Sequence, residues 1–223
     1  DSRTGTSEII YSPHLFPEDL KDKTVLEIWA RVKIILPIIY LNDLMSILYD
    51  HEADLADMDN FGDNRTTLTL DMPLRELMRN FFDEVKSATS GYASFSYVLS
   101  ARRPADVVRL DILVNEEVVP AFTRIVARRR VQAEAEAAAD KLKKILPRQL
   151  INIKIQTRAL GRIIAARTIS ALCKDVTDYL YGGDITRKMK LREKQKKGKK
   201  KMQRIGKVNI PQDVFLKMMK SAE

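Results

Sequence analysis

The sequence predicts an α+β protein in two parts: an antiparallel sheet with two helices on one face, then a small α+β domain carrying a basic, flexible segment. Three observations point there. One helix has a sharply defined apolar face, strand-like stretches flank it on both sides, and charge is divided unevenly along the chain.

Residues 1–22, broken at Ser12-Pro13 and Phe16-Pro17 and acidic at Glu18-Asp19, read as a linker. The first domain then spans 23–101. Val25 to Leu36 is β-branched and apolar, a strand ended by Pro37. Asn42 or Asp43 can cap a helix whose Leu44, Ile47 and Leu48 share a face. A weaker strand at Asp54–Asp59 lies in an acidic, turn-rich stretch, and a Gly62-Asp63-Asn64 turn leads into a half-buried strand, Arg65–Met72. Leu74, Leu77, Met78, Phe81, Phe82 and Val85 recur at helical spacing, with Pro73 suited to the first turn and Gly91 beyond the end. Ala93–Leu99 returns as a strand with Phe95 and Tyr97 on one side. The order β-α-β-β-α-β is the ferredoxin-like split βαβ arrangement.

Arg102-Arg103-Pro104 reads as the boundary of a second domain, 102–223. Asp106–Val114 alternates as a strand; Val131–Leu146 is Ala-rich and helical until Pro147; Leu150–Ile155 is a short strand. Thr168 can cap a helix bearing Ile169, Leu172, Val176 and Tyr179, ended by Gly182-Gly183. Val208–Ile210 and a helix from Pro211 to Met219 close the chain.

Composition excludes several chemistries. With one cysteine, Cys173, no intramolecular disulfide framework or cysteine-based zinc cluster can form, and two histidines, His14 and His51, argue against His-rich metal sites. Cys173 is expected in a core and His51 on the surface. Asp83 and Glu84 read as the wet face of their helix rather than as a catalytic pair. The longest apolar run, Val32–Leu44, is interrupted and falls short of the roughly 20 residues of a membrane span, so no stable insertion is expected and the chain reads as soluble. It opens at Asp1 without an initiator Met, which reads as part of a longer polypeptide. No G-x-x-x-x-G-K-[ST] loop occurs, so this chain is not expected to bind or hydrolyse a nucleotide by that route.

The net charge of +9 is concentrated: residues 1–101 carry −8, 102–186 carry +6, and 187–207 carry +11. Arg187, Lys188, Lys190, Arg192, Lys194, Lys196, Lys197, Lys199, Lys200, Lys201 and Arg204 are candidate phosphate ligands, since clustered cations displace the counterions condensed on a polyanion. Tyr181 just upstream could stack on an unpaired base. A solvated tail, a localisation signal or a peripheral patch for acidic lipid are the alternatives. Arg124 and the knot Arg128-Arg129-Arg130 are either the solvated start of a helix, against its dipole, or a second phosphate contact. With few apolar groups and mutual repulsion, the basic segment is expected to be mobile by itself, with Gly182-Gly183 as hinge and Gly198 as a helix break.

Several motifs occur together. Gly91-Tyr92-Ala93-Ser94-Phe95, Leu110-Asp111-Ile112-Leu113-Val114-Asn115, Ile145-Leu146-Pro147-Arg148-Gln149, Tyr181-Gly182-Gly183-Asp184-Ile185-Thr186-Arg187-Lys188 and Val208-Asn209-Ile210-Pro211-Gln212 closely resemble, in order, the C-terminal part of the LepA family, also called elongation factor 4. The resemblance implies a translational GTPase whose GTP and magnesium belong to a G domain ahead of this chain, with no cofactor in the chain itself. It implies a domain shared with elongation factor G, then a family-specific C-terminal domain. That last domain would meet large-subunit rRNA and the acceptor end of A-site tRNA, as a monomer, in back-translocation or rescue of stalled ribosomes; ribosome assembly is the competing account. Ala127-Arg128, Leu160-Gly161 and Arg167 stand where the family commonly has His-Arg, Gly-Gly and Glu. These departures point to an organellar member in the mitochondrial matrix, with a bacterial cytoplasm as the alternative.

Overall fold

The computed structural model describes residues 7–20, 23–62, 64–172, 176–177, 185–205 and 207–219. They form two compact units that divide between Asp106 and Val107.

In the first unit, β1 (Leu26–Pro37) is the central long strand of a four-stranded antiparallel sheet of order β2-β3-β1-β4, completed by β2 (Asp54–Phe61), β3 (Arg65–Pro73) and β4 (Ser94–Pro104). Period-two alternation on β1 and β3 sends Val32, Ile34 and Leu36 with Leu68, Leu70 and Met72 to one face. There they pack on Leu44 and Leu48 of α1 (Leu41–Asp50) and on the second helical element. That element is α2 (Leu74–Glu76), a π-helical turn (Leu77–Phe81) and α3 (Phe82–Ala88) in succession. Leu77, Phe81 and Val85 are buried, whereas Met78, expected on the apolar face, is exposed.

Three readings of this unit are corrected. α1 starts at Leu41 after a 3-10 turn, Ile38–Tyr40, so neither Asn42 nor Asp43 caps it. Arg102-Arg103-Pro104 is the end of β4, where Arg103 and Pro104 pair with Glu27 and Leu26, rather than a boundary. His51 is fully buried at the C-cap of α1, its Nε2 at 2.9 Å from Glu84 Oε2 and its Nδ1 at 3.4 Å from Glu76 Oε2. Glu84 is therefore a partner of a buried histidine and not only a wetted side chain; local charge pattern hides this because the two residues lie 33 apart.

In the second unit, the sheet order is β6-β5-β8-β9, with β7 also paired to β5. Its strands are β5 (Val107–Val114), β6 (Glu117–Val118), β7 (Arg124–Ala127), β8 (Ile153–Ala159) and β9 (Arg162–Ile169). α4 (Val131–Ile145) lays Ala135, Ala138, Ala139 and Leu142 on one face of the sheet, where small side chains let helix and strands approach closely. α5 (Ile185–Ile205) and α6 (Gln212–Met219) follow, and α6 adds Val214 and Met218 to the same core.

The stretch expected to start a helix at Thr168 is instead β9, in which Thr168 pairs with Lys154 and Ile169 with Ile153. A two-residue turn, Leu160-Gly161 with φ of 52° and 71°, folds β9 back on β8, and the β-branched Ile163, Ile164, Thr168 and Ile169 suit the strand. Residues read as a linker also pack on this unit: Phe16 is buried, Arg109 donates to its carbonyl at 2.6 Å, and Glu18 joins Arg109 and Arg158. Asp111 on β5 accepts from the same Nη2 atoms of both arginines and from Thr123 Oγ1. No helix among the described residues is long and apolar enough to cross a membrane.

Candidate nucleic-acid interface

The basic segment forms one continuous helix, α5, in contrast to the expectation of a segment without order of its own. Lys, Arg, Gln, Met and Leu are all good helix formers, and that propensity needs no buried face to act. At 1.5 Å per residue the 21 residues of α5 span about 31 Å. Gly198 lies within the helix without interrupting it, and nothing stands within 4 Å of where its Cβ would be.

Arg187, Lys188, Lys190, Arg192, Lys194, Lys196, Lys197, Lys199, Lys200 and Lys201 all lie on α5, and none of them is buried. At 100° per residue these cations fall around the whole circumference rather than along a stripe, so the helix offers positive charge in every direction normal to its axis. Arg204 belongs to the same helix by its backbone. Tyr181, with Gly182-Gly183 and Cys173, lies outside the described residues.

The other basic knot is a separate element. Arg128–Arg130 form a 3-10 turn entering α4, with Arg128 and Arg129 exposed and Arg130 at 3.5 Å from Glu134, one turn on. That acidic partner answers part of the unfavourable dipole contact. Arg124 is explained by packing within the unit, since it donates to the carbonyl of Met218 at 3.1 Å, and Lys141 Nζ reaches the same oxygen at 3.3 Å. Two cations thus close the C-terminal end of α6, where the helix leaves its carbonyls unpaired. Burial and the neighbouring Arg124 push the Lys141 ammonium below its usual pKa. Arg167, on β9, forms a two-pronged bond to Asp140 of α4 at 2.6 and 2.9 Å, which explains a cation at that position without a nucleic acid.

A split βαβ sheet is thus followed along the chain by a helix-backed sheet and a basic helix with no buried cation among its described side chains. Residues 24–113 match the family described as elongation factor G C-terminus, and residues 114–220 match that described as GTP-binding protein LepA C-terminus. Together the two matches are consistent with the C-terminal part of a translational GTPase of the LepA type. The border between the two matches falls within β5, a few residues after the physical division of the units.

Proposed function

We propose that this chain acts on the ribosome, with α5 as the element that meets large-subunit rRNA and the acceptor end of a tRNA in the A site. The observation that carries the reading is that ten cations, eight of them exposed and none buried, stand on a single helix that buries none of its described side chains, in a chain that matches the LepA C-terminus. A helix charged on all sides fits a crevice with phosphates on several walls better than it fits one groove, and phosphate contacts position without reading sequence. Arg128, Arg129, Arg130 and Tyr181 are the secondary contacts of this proposal. The reaction served is back-translocation or rescue of stalled ribosomes, in the mitochondrial matrix or a bacterial cytoplasm, by a monomer. GTP and magnesium belong, in this reading, to a G domain outside this chain.

The test is salt-dependent binding to purified ribosomes. Replacing Lys196, Lys197, Lys199, Lys200 and Lys201 with Gln should flatten the slope of log affinity against log salt by about 4, at roughly 0.7–0.9 per phosphate released, without lowering the melting temperature. An unchanged slope would remove α5 from the interface.

A further inference from the structure

The polypeptide leaves the sheet of the second unit after β9, carries α5, and returns to the core through α6. Both legs of this excursion are tied to one residue. The backbone carbonyl of Gln149 accepts from the N–H of Leu172 on the outgoing leg at 2.7 Å. Its side-chain amide bonds the incoming leg twice: Nε2 donates to the carbonyl of Asn209 at 2.6 Å, and Oε1 accepts from the N–H of Asn209 at 3.1 Å. Next to it, Asn152 Oδ1 accepts from the N–H of Ala171 at 2.8 Å.

The chemistry requires this residue type. A planar carboxamide alone among side chains presents a neutral donor and a neutral acceptor side by side, which mimics a neighbouring strand to one peptide unit. Asn carries the same group one methylene shorter, and Glu keeps an acceptor but loses the donor. Pro147 ends α4 and leaves Arg148 to Leu150 in an open segment, which frees both the carbonyl and the side chain of Gln149 to face the two legs.

We propose that Gln149 is a positioning residue for the basic helix: it closes the base of the excursion and so sets the direction in which α5 presents its cations. The inference rests on the reading of α5 as the RNA-contacting element. The physical reasoning is one of preorganisation. A helix about 31 Å long amplifies any freedom at its base, so an unfastened base spreads the cations over many directions and the ordering must be supplied on binding.

The experiment uses the full chain with Cys173→Ser and nitroxide labels at Lys143→Cys on α4 and Glu193→Cys on α5, so that no cation of α5 is lost. Pulsed dipolar spectroscopy should give a narrow label-to-label distribution in the parent and a broadened one in Gln149→Ala, with the melting temperature unchanged. Gln149→Glu, of the same size, should broaden it as well and serves if the Ala variant does not fold. Without labels, Gln149→Ala should weaken binding to purified ribosomes by roughly tenfold while its elution from heparin is unchanged, because heparin places no demand on direction. Equal widths in parent and variants, or a parent already broad, would overturn the proposal. If the Lys→Gln variant of α5 leaves ribosome binding intact, the RNA-contact reading fails, and the spectroscopic distances still decide by themselves whether Gln149 holds the helix.

Discussion

Replacing Glu116 with Gly should stabilise the second unit. β5 and β6 are joined by a two-residue turn, Asn115-Glu116, with φ of 49° and 72°. Asn115 has a reason to be there, since its Oδ1 accepts from the N–H of Lys154 at 2.7 Å and Asn is among the residues that tolerate this region. Glu116 has none: its side chain is 80% exposed and its ion pair with Lys154 is long, at 3.8 Å. A solvated pair of that kind contributes about 0–1 kcal/mol at most. A left-handed L-residue costs about 1–2 kcal/mol, which Gly avoids, while the freer unfolded chain takes back about 0.4–1 kcal/mol. The expected net gain is about 0.5–1 kcal/mol, seen as a rise of about 2–4 °C in melting temperature. Calorimetry is the assay of choice, because the single tryptophan, Trp29, lies in the other unit and is blind to this one. Glu116→Ala is the control: it removes the charge and keeps the Cβ, so it should gain nothing. A Gly variant no more stable than the parent, or an Ala variant that gains equally, would refute the argument from backbone strain.

Three other outcomes follow from the first unit and from α5. Asp71 is held by Arg31 at 2.8 Å and by Arg103 at 2.6 Å, with Arg103 stacked on Trp29, and these bonds, Arg31 first, bring its carboxyl down to about 2. Since this lies below the value of about 3.9 in an unfolded chain, its contribution is complete above that pH and is lost as pH falls through about 2. Asp71→Asn should lower stability at neutral pH, with the deficit closing as acid is added, followed by Trp29 fluorescence; a deficit independent of pH would show that the charge is not its source. His51→Leu removes a buried hydrogen-bond partner of Glu84 and Glu76, the latter still held by Arg75 and Arg79, and should cost about 1–3 kcal/mol in urea denaturation, a loss that a surface histidine would not produce. Gly198→Ala should raise helicity by circular dichroism, since Ala is favoured by about 1 kcal/mol in a helix interior and meets no obstacle there; no rise would mean that the helix is not continuous at that point.

How much of the fold is legible in the residues varies with how local the cause is. The long helical element from Leu74 announces itself by spacing, yet Met78 stands in a π-helical turn and faces solvent while Leu77, Phe81 and Val85 are buried. The helix of α5 follows from propensity, which outweighs the charge repulsion that argues against it. Ile169 and Leu172 fit a helical face as readily as the end of a strand, and short apolar runs cannot be assigned by periodicity alone. Gln149 stands inside a motif without a visible role, because nothing around Pro147-Arg148-Gln149 hints at Asn209, 60 residues away.

By itself the sequence determined what depends on neighbours along the chain: the period of the strands and helices of the first unit, the division of charge, and the presence of a dense basic segment. Only the tertiary structure decided what depends on partners brought from a distance. It placed His51 between two carboxylates, turned Arg162–Ile169 into a strand on β8, and laid residues of the supposed linker on the second unit through Arg109, 91 residues from Glu18. The physical reason is that a buried polar group must find its hydrogen-bond partner wherever the fold supplies one, and that partner leaves no periodic trace in the residues beside it.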